Sequence, residues 1–151
     1  MPRLARVRIA GVLETCLYAA DLAAAERFYA GVLGLEVHGR AAERHVFFRC
    51  GGAMLLVFNP ERTRSAPGEV NGVPVPAHGP AGGAGHVAFG VPAAELPAWR
   101  ARLEAAGVAI EVEIEWPRGG RSLYVRDPAA NSVELASPTI WALPEPGPGS
   151  A

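Results

Sequence analysis

Three side chains far apart in the chain, Glu14, His86 and Glu134, have the chemistry of metal ligands. Each sits in a run that alternates apolar and polar residues as a half-buried strand does. In HVAFGV the apolar row is Val87, Phe89 and Val91, so His86, Ala88 and Gly90 face the other way. In SVELAS the apolar row is Val133 and Leu135, which turns Glu134 toward the side of His86. In ETCLYA, Thr15, Leu17 and Ala19 alternate against Glu14, Cys16 and Tyr18, and Glu14 emerges on that side too. Ile110, Val112 and Ile114 alternate with Glu111, Glu113 and Glu115, which predicts Glu113 and Glu115 in the same cleft. Carboxylates crowded on one face are costly unless a positive charge sits among them. A divalent cation answers that need, since imidazole and carboxylate are ordinary ligands for Zn, Fe, Ni or Mn. Taken singly, the bland alternatives are a hydrogen-bonded strand histidine and a solvated polar strand face.

An internal repeat positions these residues. From Val12 the chain runs strand, helix, strand through LETCLYAADLAAAERFYAGVLGLEV. From Gly85 the order returns in HVAFGVPAAELPAWRARLEAAGVAIEV, with His86 falling 72 residues after Glu14. Asp21 is the predicted N-cap of the first helix, Leu22, Ala25, Phe28, Tyr29, Val32 and Leu33 its apolar stripe, and Gly34 its end. Leu96, Trp99 and Leu103 repeat the helical spacing, and Gly107 closes it. Strand-like runs follow at 35–38, 45–50 and 53–59, and again at 109–115, 122–126 and 132–137. The expected class is therefore α+β, with βαβββ written twice. The expected organisation is an arm over 1–11, module one over 12–59, a linker or binding loop over 60–84, module two over 85–138 and a tail over 139–151. Residues 144–151 read as disordered, with Trp141 pinning the end to the body.

A chain of 151 residues suits one domain or two small halves sharing a core. With 50% hydrophobic and 19% charged residues it can build that core, which excludes wholesale disorder. All 14 basic residues are Arg against 15 acidic ones, so the net charge is −1 and there is no footprint for nucleic acid. Arg3, Arg6 and Arg8 read as a solvated arm. No stretch approaches the ~20 apolar residues of a membrane span. Cys16 and Cys50 make neither a CxxC pair nor a disulfide framework, which points to the cytoplasm. His78, in VPVPAHGPAGGAGH, is a candidate catalytic acid or base on a loop over the cleft, or else a solvated loop histidine. Arg121, beside Gly119 and Gly120, is a candidate holder of an anionic substrate group. The run from Gly83 mimics a dinucleotide fingerprint but opens a strand, which rejects it.

LETCLYAADLAAAERFYAGVLGL, GHVAFGV and RSLYVRDPAANSVEL, together with the repeat, resemble the vicinal oxygen chelate superfamily over about residues 12 to 137. That group holds glyoxalase I, fosfomycin-resistance transferases, extradiol dioxygenases, methylmalonyl-CoA epimerases and bleomycin-resistance proteins. The resemblance implies two modules pairing into a curled half-barrel sheet, helices outside, around a metal held by the first and fourth strands of each module. His86 and Glu134 match the module-two positions in residue type. Glu14 falls where the family more often has His or Gln, and the fourth position falls on Leu55, or on Leu56 if the register slips by one. Neither leucine binds a metal, which departs from the four-ligand glyoxalase I and epimerase sites and matches the three-ligand transferases and dioxygenases. One His with two carboxylates implies Mn, Fe or Mg over softer ions. Ala130 stands in DPAAN where the family has Gly, and Asn131 is expected to take the left-handed turn.

The implied chemistry is Lewis-acid stabilisation of charge on two neighbouring substrate oxygens. Tyr124 is then a candidate catalytic residue, with Ser122, Arg121, Glu113 and Glu115 as candidate substrate-binding residues; an ordinary half-exposed strand is the alternative for Ser122 and Tyr124. Two functions stay open. One is a metal-dependent dioxygenase, lyase or transferase on a small oxygen-rich substrate. The other is a non-catalytic drug-binding resistance protein, whose acidic cleft of Glu14, Glu113, Glu115 and Glu134 would suit a cationic ligand. The resemblance also implies a homodimer whose two subunits complete each site.

Overall fold

The computed structural model describes residues 12–65, 69–70, 72–74, 78–80, 82–117 and 119–145. The expected arm, with Arg3, Arg6 and Arg8, lies outside the described residues, as does the tail beyond 145.

Strand β1 (Glu14–Tyr18) leads into helix α1 (Leu22–Glu26). Asp21 Oδ1 caps the helix by accepting from the Ala24 N–H at 2.9 Å. The helix then widens to a π-helical run over Arg27–Val32, where the Leu33 N–H donates to the Phe28 carbonyl, five residues back, at 3.0 Å. Gly34 ends it at a φ of 80°, in the left-handed region. Strands β2 (Glu36–Ala41), β3 (His45–Cys50) and β4 (Ala53–Phe58) complete the first module. β1 lies parallel to β4, and the sheet order is β1-β4-β3-β2.

The segment expected as a linker carries α2 (Pro60–Ser65) and a small antiparallel pair, β5 (Glu69–Val70) with β6 (Val73–Pro74). The second module is β7 (His86–Gly90), a 3-10 turn at Ala93–Glu95, α3 (Leu96–Ala105), β8 (Val112–Glu115), β9 (Arg121–Arg126) and β10 (Ser132–Ala136). Its sheet order, β7-β10-β9-β8, reproduces the first, with β7 parallel to β10. The repeat is thus an α+β architecture of two four-stranded mixed sheets that do not close on each other.

One buried core joins the halves. Leu17, Tyr29, Phe48 and Val57 of module one pack in the same cluster as Leu103, Leu123, Val125 and Val133 of module two. Burial of such side chains from both sheets is the main favourable term holding the modules together. A polar cluster crosses the same boundary. Asn131 Nδ2 donates to Asp127 Oδ2 at 2.8 Å and to the Tyr18 carbonyl at 3.2 Å, while the Gly85 N–H donates to Asn131 Oδ1 at 2.8 Å. These commitments explain a departure from expectation: Ala130, with a φ of 64°, takes the left-handed turn rather than Asn131. Trp141 does not pin the chain end, since it is 76% exposed on the 3-10 turn Pro138–Trp141. That turn packs instead against Gly120, where a Cβ would lie 2.6 Å from Ile140 Cγ2. No helix among the described residues is long and apolar enough to cross a membrane.

Candidate functional site

Strand register assembles the centre of module two. Glu134 lies beside Ala88 on β7 and directly opposite Tyr124 on β9, while His86 lies beside Ser132. Directly opposed residues share a face, and the His86 and Tyr124 rings stack on that face with centroids 6.2 Å apart and planes 16° apart. His86 Nε2 is 3.4 Å from Glu134 Oε2, and its Nδ1 is 3.2 Å from the Ser132 carbonyl. A carbonyl only accepts, so Nδ1 carries a ring proton, and Nε2 is the ring nitrogen that faces the carboxylate. Imidazole nitrogen and carboxylate oxygen side by side are ordinary ligands of a divalent cation. Glu134 is only 5% exposed, and its Oε1 has no hydrogen-bond partner among the described residues. An orphaned buried carboxylate oxygen is costly, and the donor pair fits two ligands of a divalent ion. Burial first, and the Glu134 carboxylate second, push the Tyr124 hydroxyl up to about 12.

Glu14 stands on the other sheet, in the row of Cys16 and Tyr18, with Met54 as its neighbour on β4. Among the described residues no three His, Cys, Asp or Glu side chains gather closely enough to hold a metal. One chain thus brings His86 and Glu134 together and leaves Glu14 apart from them. The register also fixes the fourth ligand position. Cys16 pairs with Leu56 as Ala88 pairs with Glu134, so Leu56 is the counterpart, and Leu55 belongs to the core.

β8 reverses the expected alternation. Val112 is opposite Tyr124 and Ile114 opposite Ser122, so these apolar side chains share the face of Glu134. Glu113, opposite Leu123, and Glu115, opposite Arg121, take the helix side instead. The physical reason is the charge on that side: Glu113 pairs with Arg100 of α3, and Arg121 Nη2 is 3.4 Å from Glu113 Oε1. Glu113, Glu115 and Arg121 therefore do not line the cleft. Ser122 does face it, but fully buried, with its Oγ accepting from Trp116 Nε1 at 2.7 Å.

The corresponding surface of module one is aromatic, which sequence reasoning missed. His45 stacks on Phe47 with centroids 3.9 Å apart, and Phe47 meets Phe58 edge to face at 5.3 Å. His78 arrives from its loop onto this surface, edge-on to Phe58 at 4.7 Å, with its Nδ1 2.7 Å from the Tyr18 hydroxyl. It therefore sits with module one, on a different sheet from Tyr124. The signal was available: in HVFFRC, Val46 and Phe48 form the core row, which leaves His45 and Phe47 facing outward.

A sequence model of the Glyoxalase/Bleomycin resistance protein/Dioxygenase superfamily matches residues 9–135. Among solved structures, a lactoylglutathione lyase from Agrobacterium tumefaciens is 40% identical with a TM-score of 0.82, over 91% of this chain and 100% of that one. A glyoxalase/bleomycin resistance protein/dioxygenase from Nocardioides is 24% identical with a TM-score of 0.66, over 88% of this chain and 86% of that one. A glyoxalase/dioxygenase from Nostoc punctiforme is 21% identical with a TM-score of 0.61, over 85% and 90%; these last two likenesses concern the fold. No curated protein matches the chain significantly.

Proposed function

The chain belongs to the glyoxalase/bleomycin resistance protein/dioxygenase superfamily, and from that premise we propose that it is a divalent-metal-dependent lyase acting on a small substrate with two neighbouring oxygens. The observation that supports this best is His86 Nε2 turned toward Glu134 Oε2 at 3.4 Å, with Nδ1 tied to the Ser132 carbonyl. Likeness to a lactoylglutathione lyase at 40% identity favours a lyase over the dioxygenase and transferase alternatives. His86 and Glu134 would hold the ion. Glu14 is the third ligand in this reading, supplied by a second copy in a homodimer that sets module one of one chain against module two of the other. A bound divalent ion would supply Lewis-acid stabilisation of negative charge on the substrate oxygens. One His and two carboxylates favour Mn, Fe or Mg over Zn or Ni.

The chain's own residues do the rest. The Ser132 carbonyl fixes the His86 tautomer, and the Tyr124 ring stacked on His86 restricts its rotation. The Tyr124 hydroxyl stays protonated at neutral pH and donates a hydrogen bond to a substrate oxygen. His78, held by Tyr18 on module one, is the proton-transfer group from the opposite wall. Two free cysteines suit a reducing compartment, and the cytoplasm is the proposed location.

A second reading, drug binding without catalysis, draws on Leu56 and the aromatic surface around Phe47 and Phe58, which offer no metal donor. The removal of Glu113 and Glu115 from the cleft weakens its case for a cationic ligand. Metal analysis of the purified protein and of His86→Ala, turnover of lactoylglutathione, and mass in solution test the proposal together. Stoichiometric metal lost in the variant, with turnover lost alongside it and a dimeric mass, is the expected result. A metal-free wild type stabilised thermally by a glycopeptide antibiotic overturns it in favour of drug binding.

A further inference from the structure

Among the described residues Arg64 differs from most of the other arginines. Arg40, Arg49, Arg62, Arg100, Arg121 and Arg126 each pair with a carboxylate. Among the described residues no carboxylate pairs with Arg64, whose Nη2 donates to the Pro80 carbonyl at 3.3 Å. Gly79 allows this approach, since a Cβ there would lie 2.9 Å from Arg64 Nε and 3.0 Å from its Cγ. Arg64, His78, Gly79 and Pro80 line a shallow recess of about 270 Å³.

Tyr18 holds the His78 ring there. Burial raises the Tyr18 hydroxyl above its ordinary value, and it lies 2.7 Å from His78 Nδ1. Where the hydroxyl donates to Nδ1, the ring hydrogen lies on Nε2. The ring is held further by Phe58, and the His78 N–H donates to the Thr63 carbonyl at 3.3 Å. The recess thus combines a guanidinium and an imidazole, and among the described residues no acidic side chain lines it. A planar fork of donors beside an imidazole N–H matches the geometry and charge of anionic oxygens.

We propose that Arg64 and His78 form a binding site for a carboxylate or phosphate group of a small ligand. Tyr18 is its positioning residue, holding His78 as a donor, and Gly79 leaves room for the guanidinium. This site needs neither the metal nor a second copy; it shares His78 with the lyase reading, and its test on metal-free protein reads anion binding alone.

The test uses the purified full chain, freed of divalent ions by chelator and labelled with ¹⁵N. It is titrated with succinate and, separately, with inorganic phosphate at constant ionic strength, while the His78 ring nitrogens are followed by NMR. At least one anion should shift Nε2 saturably, and whichever does so identifies the source. Arg64→Gln should weaken binding roughly tenfold, as expected for loss of a charge-assisted hydrogen bond, and Arg64→Lys less. Tyr18→Phe should weaken it and change the His78 tautomer signature, whereas His86→Ala should leave it unaltered. No saturable response to either anion overturns the proposal. So does unchanged affinity in an Arg64→Gln protein whose thermal midpoint matches the wild type.

Discussion

The Tyr29 hydroxyl donates to Asp127 Oδ2 at 2.8 Å, joining residues 98 positions apart across the module boundary. Burial and the Asp127 charge hold the phenol far above its ordinary value, so it acts purely as a donor. Asp127 Oδ1 accepts from the Ala129 and Asn131 N–H groups as well, at 2.9 and 2.8 Å. Tyr29→Phe should cost about 1.5–3 kcal/mol, the worth of a hydrogen bond to a charged group. Asp127→Ala should cost more, about 3–5 kcal/mol, because every one of those donors loses its acceptor. Urea denaturation checks both, and a near-neutral Asp127→Ala would contradict the account.

Acid should loosen the fold through His45. Burial, and then Arg44, hold its imidazole below the ordinary 6.5, and its buried Nδ1 has no hydrogen-bond partner among the described residues. The unfolded chain takes up the proton at the ordinary value and the folded chain only at a lower pH. This contribution is therefore whole above about pH 7 and is lost as pH falls through the ordinary value toward the folded one. Urea midpoints measured between about pH 7.5 and 5.5 should fall less steeply in His45→Gln than in the wild type. Parallel slopes would refute the assignment.

Gly120→Ala should be severely destabilising. Its φ of 89° disfavours any side chain, and the new Cβ would sit 2.6 Å from Ile140 Cγ2 and 2.8 Å from Ser137 Oγ. Left-handed strain and overpacking together amount to about 2–4 kcal/mol. A thermal midpoint lowered by several degrees is expected, and an unchanged one would show that the C-terminal turn can move aside.

Glu134→Gln gives a two-sided prediction. In metal-free protein it removes a buried charge with an orphaned oxygen, so stability should rise by about 1 kcal/mol. With divalent metal added, the wild type should gain thermal stability and the variant should not. Equal metal-induced stabilisation of the two proteins would remove Glu134 from the ligand set.

The sheets were legible wherever one row of a strand meets the core. His86 against Val87, and Glu134 between Val133 and Leu135, show a plain contrast between buried and outward rows, and both strands followed it. β8 misled because it is an edge strand: Arg100 of α3 draws Glu113 to the helix side, leaving Val112, 45% exposed, on the cleft side. Hydropathy alone cannot register an ion pair made with a helix elsewhere in the chain. The aromatic surface of module one was overlooked for another reason: Phe47 and Phe58 carry no ligand chemistry, and only the loop that delivers His78 shows their setting. The widening of α1 over Arg27–Val32 left no mark in an apolar stripe that ordinary helical spacing already explained.

The shared register of the two sheets gives each position on one a twin on the other: Glu14 with His86, Leu56 with Glu134, Phe47 with Tyr124. The molecule thus preserves within itself the outcome of a duplication. One half carries the polar pair His86 and Glu134, while its sibling sets Glu14 beside grease and rings at Leu56, Phe47 and Phe58.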